Sequence, residues 1–205
     1  MSKIKENSGV LVQGHIKIHD PESGAVFVNK RNAIHYENMS IALAESVANQ
    51  GQGFINSMAF GNGGTSVDPT GIITYLTPNS TGTNASLYNQ TFTKIVDDRS
   101  VSNLDPQRNK IETRHVNGTN YTDVVVTCLL DYGEPAGQSA FDNTTTFTDS
   151  YVFDELALYG YSDTGAGLGK LLTHVIFHPV QKSLNRLIQI DYTVRVQSLT
   201  NFVES

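Results

Sequence analysis

The clearest pattern of apolar and polar positions lies over residues 187–197. Ile188, Ile190, Tyr192, Val194 and Val196 alternate there with Gln189, Asp191, Thr193, Arg195 and Gln197, the period-two signature of a strand buried on one face. The same alternation places Thr122, Val124, Val126, Cys128 and Leu130 on one side of a strand over 121–130. Residues 171–178 read as a further strand, and Pro179 predicts a break between it and the last one.

Turn chemistry divides the rest of the chain. Residues 10–18 and 25–28 flank Asp20-Pro21-Glu22-Ser23-Gly24; Pro sets a turn there and Gly accepts positive φ, so a hairpin is predicted. Met39, Leu43 and Val47 recur at helical spacing, and Asn38 is positioned to cap the first amides. One helix over 38–49 follows, stopped by Gly51 and Gly53. Residues 54–60, 72–76, 90–96, 110–116 and 151–161 read as additional strands. The stretch 68–89 is dense in Pro, Gly, Ser, Thr and Asn, which predicts a surface loop or an extended arm carrying contacts. Many short strands, one helix and no strand–helix alternation predict a mainly β chain. The expected architecture is an antiparallel β-sandwich with one short α-helix and an extended loop or arm, forming a single domain over 1–205.

Composition narrows the function classes. Hydrophobic residues make up 39% and charged residues 17% of the 205 residues, so solubility rests largely on Ser, Thr, Asn, Gln and Gly. The formal charge is -6 and no basic run follows a phosphate backbone, which argues against general nucleic-acid binding. Lys30 and Arg31 are expected in a solvated turn beside the first hairpin. No stretch approaches the eighteen apolar residues of a membrane span and no signal-peptide core opens the chain, so membrane insertion is not expected and synthesis in the cytoplasm is. Asn-X-Ser/Thr triplets begin at Asn38, Asn79, Asn84, Asn89, Asn117, Asn120 and Asn143. Without a secretory signal they read as products of an Asn/Thr-rich composition. A single cysteine, Cys128, makes neither an intrachain disulfide nor a thiolate metal site, and is expected as a small buried hydrophobe.

The chemistry-bearing residues form no recognised catalytic pattern. His15/His19 and His174/His178 are the most metal-like spacings, yet on a strand each pair lies roughly 13 Å apart, so exposed or interface histidines are the favoured reading. Asp97/Asp98 and Asp142/Asp149 read as solubilising loop ends, because adjacent strand residues face opposite ways. Gly61-Asn62-Gly63-Gly64-Thr65 resembles a phosphate loop only in glycine content and lacks the Lys-Ser/Thr that follows one. Turn geometry is the favoured reading. No Gly-X-Ser-X-Gly elbow is present. No catalytic, cofactor-binding or metal-ligating residue is therefore assigned. Tyr151, Phe153, Tyr159 and Tyr161 remain as an aromatic set for core packing, a protein interface or a carbohydrate-binding face.

Several strings, taken in order, resemble tailed-bacteriophage virion proteins, in particular small β-rich tail, baseplate or neck components. They are Asn32-Ala33-Ile34, Met58-Ala59-Phe60-Gly61-Asn62-Gly63-Gly64-Thr65, Leu87-Tyr88-Asn89, Phe153-Asp154-Glu155-Leu156-Ala157-Leu158-Tyr159-Gly160, and residues 171–182 followed by the alternating closing strand. The resemblance implies a non-enzymatic structural protein, located in the virion and assembled in the host cytoplasm. It also implies a homo-oligomeric ring or attachment layer whose partners are further copies and neighbouring phage tail, baseplate or neck proteins. A carbohydrate-binding tail-fibre module is the alternative, followed by a metal-dependent hydrolase.

Overall fold

The computed structural model describes residues 5–135 and 150–203. Asp142 and Asp149 lie outside the described residues. The elements run β1 (Lys5–His19), β2 (Val26–Ile34), α1 (Tyr36–Val47), β3 (Ile55–Gly61), β4 (Thr65–Val67), β5 (Ile73–Tyr75), β6 (Gln90–Ile95), β7 (Lys110–His115), β8 (Tyr121–Leu130), β9 (Ser150–Gly160), β10 (Leu171–Ser183) and β11 (Ile188–Val203). The chain is mainly β, with one short helix. Nine strands form a continuous antiparallel sheet in the order β6-β3-β9-β10-β2-β1-β11-β8-β7, and β4 pairs with β5 in a separate hairpin. Among the described residues no helix is long and apolar enough to cross a membrane.

The sheet turns a corner at β2. Residues 26–32 of that strand pair with β1, whereas Ala33 and Ile34 pair with His174 and Thr173 of β10. A strand that changes partner along its length bends the sheet around the core. The approach is close at Gly14: a Cβ there would lie 1.5 Å from Asn32 Oδ1, so the Asn32 side chain would have to move. Asn32 Nδ2 donates to Ala33 O at 3.1 Å and to the Tyr192 hydroxyl. Side-chain bonds link the two ends of the curved sheet. Lys94 Nζ on β6 donates to Leu129 O on β8 at 2.6 Å, and the Ile111 amide on β7 donates to Asp98 Oδ1. One apolar cluster inside this half-barrel joins Met58 and Phe60 to Ile16, Ile18, Val126, Leu130, Ile190 and Tyr192.

The alternating segment behaves as its pattern requires. Ile188, Ile190, Tyr192 and Val194 are buried, and β11 pairs with β1 on one side and β8 on the other. Cys128 is buried in the same core, and burial pushes its thiol up to about 12. Three local expectations are corrected. Pro179 does not end a strand: β10 runs to Ser183, and its register to β9 shifts between Ile176 and Val180, so the residue without an N–H sits in an irregularity of the ladder. The helix starts at Tyr36 with His35 as its cap, Nδ1 accepting from the Asn38 amide at 3.2 Å, because the Asn38 side chain is committed to Leu171 O at 3.0 Å. Its apolar stripe ends at Leu43; Val47 is 90% exposed. Lys30 and Arg31 lie within β2 rather than in a turn, and Lys30 Nζ donates to Ile176 O at 2.8 Å.

The stretch 68–89 is also more structured than a free arm. It contains β5, and its later part lies against β9, β10 and the start of α1. Leu87 is buried with Ala59, Ala157, Tyr159 and Leu171, its amide donating to the Tyr159 hydroxyl at 3.0 Å. The Tyr36 amide reaches Ser80 O, and the Gly82 amide reaches Glu37 Oε2.

Candidate functional site

Asp154 and Glu155 sit in the middle of β9, two consecutive carboxylates inside an apolar run, and both are buried. Asp154 accepts the amides of Gly64 and Thr65, each at 2.9 Å, and the Thr65 hydroxyl. Glu155 Oε1 accepts the amides of Gly63 at 3.1 Å and Asn89 at 2.8 Å; Oε2 accepts the Tyr88 amide and His174 Nε2, both at 3.0 Å. Across the strand pair, His174 Nδ1 accepts the Asn79 amide at 2.8 Å. That bond leaves the ring proton on Nε2, where it is donated to Glu155. The turn after β3 and two points of the β5–β6 connection, Asn79 and Tyr88–Asn89, are thereby fastened to one place on the sheet.

The electrostatics follow from the donor count. Burial raises the Asp154 carboxyl above its ordinary value despite the Thr65 and Gly64 donors. Burial also acts to raise Glu155, but the bonds from His174, Asn89, Tyr88 and Gly63 outweigh it and hold the group below its ordinary value. The glycine-rich loop 61–65 therefore has an anion cradle of backbone amides that the protein's own carboxylates fill. The approach is close: a Cβ on Gly61 would lie 2.5 Å from Glu155 Oε1. The His174–Glu155 pair has the composition of an acid–base dyad, yet both residues are fully buried and both ring nitrogens of His174 are bonded within the chain. The arrangement fastens loops; it offers no basic nitrogen to a substrate.

The other sequence candidates scatter. Tyr151, Phe153 and Tyr159 are buried, so these three rings supply no interface or glycan face. Phe153 stacks on Tyr151 with centroids 5.5 Å apart and meets Phe60 and Phe177 edge-on. Tyr161 is half-buried and stacks on Phe54 at 5.4 Å. His15 is exposed, His19 Nε2 lies 3.0 Å from Asp191, and the Tyr75 hydroxyl lies 3.3 Å from His178, so the four histidines form no common site; His174 is buried rather than exposed. Among the described residues no group of three or more His, Cys, Asp or Glu is placed to hold a metal ion. Asp97 is buried rather than solvating, accepting the amide and Nε of Arg99, each at 3.1 Å. The sequence reading passed over Asp154 and Glu155 as chemistry, although two carboxylates inside an apolar strand were a visible signal. It also missed Lys182, fully buried with Nζ on Ser183 O at 2.9 Å.

A second feature lies where β1 and β11 outrun their neighbours. β2 first meets β1 at Gly14, and β8 last meets β11 at Gln197, but β1 and β11 stay paired from Leu11↔Gln197 to Lys5↔Val203. The result is a two-stranded ribbon projecting from the sheet; among the described residues neither of its edges pairs with a further strand, and at its base Ser198 bonds to Asn120. Val10, 61% exposed, Leu11 and Leu199 lie on it with their side chains in solvent. Compared with known proteins, the chain matches no family model, no curated protein and no solved structure.

Proposed function

We propose that this chain is a non-enzymatic structural component of a tailed-phage virion, in a tail, baseplate or neck layer, where it assembles with further copies of itself and neighbouring structural proteins. In this reading the two halves of the curled sheet act as the layers of a β-sandwich, and docking uses the strands that extend beyond it. The observation that carries the reading is the projecting β1–β11 ribbon. A two-stranded ribbon is marginally stable in water by itself, and edges that no described strand covers, with Val10, Leu11 and Leu199 exposed, favour strand addition by a partner. The Asp154–Glu155–His174 cluster supports the same reading, because its donors and acceptors hold loops in fixed positions. Cryo-electron microscopy of purified particles tests it. Repeated ordered copies with a neighbour on the ribbon are expected. Absence from every ordered position, together with specific glycan binding or turnover by the isolated chain, overturns the proposal.

A further inference from the structure

A pocket of about 440 Å³ opens at the end of the half-barrel beside α1. Leu172, Val124, Val194 and Val196 line it from the sheet, and Met39 and Leu43 from the helix. Protein interiors leave few voids larger than a water molecule. This one persists because the helix supplies no apolar side chain beyond Leu43, and Ser46 Oγ ties the last turn to Gly53 O at 2.7 Å. An apolar chamber of this size at the mouth of a curled sheet is the ordinary form of a small-molecule site. Its charged groups stand together at Asp97, Asp98 and Arg99, with Ser46 and Thr113 as neutral polar neighbours. Arg99 Nε is held by Asp97 at 3.1 Å with the guanidinium 5.4 Å from the Phe54 ring centroid, whereas Asp98 is exposed, accepts the Ile111 amide and forms no ion pair among the described residues. Two carboxylates against one guanidinium leave the rim net negative.

We infer that this pocket binds an uncharged, largely hydrocarbon small molecule and rejects anionic analogues at the Asp97–Asp98 rim. At the ~30 Å³ that a water molecule occupies in the liquid, the chamber takes about fifteen heavy atoms, the size of two or three fused or linked rings or a medium-length alkyl chain.

The test compares two fluorescent probes on the full chain: N-phenyl-1-naphthylamine, which is neutral, and 1-anilinonaphthalene-8-sulfonate, which carries a sulfonate on the same ring system. The neutral probe is expected to saturate at one site per chain and to bind at least tenfold more tightly. Val124→Trp fills the chamber and is expected to abolish that binding. Thr113→Trp, at an exposed position on the rim, does the same without disturbing the core and serves if the first variant does not fold. Asp98→Lys is expected to narrow the difference between the probes at least fivefold by improving the sulfonated one. Non-saturable binding, equal affinity for both probes, or neutral-probe binding that survives Thr113→Trp overturns the inference. So does a particle map in which a neighbouring chain's side chain fills the chamber.

Discussion

Replacing Glu155 by Gln tests whether the buried carboxylate is what fastens the loops. Each oxygen of Glu155 takes two N–H donors: Gly63 and Asn89 on one, Tyr88 and His174 on the other. Glutamine has almost the same shape but one oxygen, so whichever way its amide turns, two buried donors face an NH₂. Stranding a buried donor costs about 1–3 kcal/mol, giving roughly 2–6 kcal/mol for two. Relief from burying a charge offsets part of this, so a net loss of about 2–4 kcal/mol is expected. For a chain of this size that lowers the melting temperature by about 5–15 °C. Urea denaturation followed by circular dichroism gives the energy, and hydrogen exchange gives the location, with faster exchange expected at the amides of Gly63, Tyr88 and Asn89. The acid response provides an independent check. Because the folded carboxyl lies below its ordinary 4.5, its contribution is complete above that pH and is lost as pH falls through the folded value; the variant lacks this component. A Gln variant within about 0.5 kcal/mol of the parent, with those amides equally protected, refutes the reasoning.

Further outcomes follow from other buried positions. Burial lowers Lys182 from 10.5 to about 8, so the folded chain releases this proton before the unfolded one. Taken alone this should raise stability between pH 8 and 10 by up to about 3 kcal/mol. Above pH 9 Cys128 opposes it, because burial lifts its thiol from 9.0 to about 12 and the unfolded chain ionises first, so a Lys182→Met variant should lack the rise and show only the Cys128 loss in denaturation curves measured across the window. Above pH 10 the trend reverses, because burial pushes Tyr159 up to about 12 and the unfolded chain ionises first. Gly14→Ala places a methyl against Asn32 Oδ1 and should cost about 2–4 kcal/mol by displacing that side chain from Tyr192. Added to Asn32→Ala it should cost almost nothing, and additive losses in the double-mutant cycle would count against the corner argument. Ile190→Asp should destabilise the fold by several kcal/mol, measured by chemical denaturation; protection of the β11 amides unchanged by the substitution contradicts that placement. Val10→Asp with Leu199→Asp should leave the melting temperature within about 2 °C, since both side chains are exposed, while reducing self-association in light scattering; unchanged association removes the ribbon from the interface.

Elements whose evidence is local were legible in the order of residues alone. Alternation over 187–197 identified β11 and the side of it that is buried, because side chains of a strand point alternately and one apolar row needs a core. The residues from Asp20 to Gly24 marked the first hairpin: Asp20 Oδ1 accepts the amides of Glu22 and Ser23, and Gly24 takes φ +73, contacts that lie within five residues. The existence of α1 was legible from its spacing; its start was not, because Asn38 is held by Leu171, distant in sequence. The faces of β9 were set by long-range packing. The ladder irregularity beside Asp154 puts Tyr151 and Phe153 in the same core as Leu156 and Leu158, although strict alternation would separate them. The same holds for the loop fastening at Glu155, whose partners at Gly63, Tyr88, Asn89 and His174 converge only after β3, β9 and β10 have paired. Periodicity reports which side of an element is apolar. Which donors meet a buried carboxylate, and whether an apolar mouth stays open, depend on strand register and corner geometry set by contacts between residues far apart in the chain.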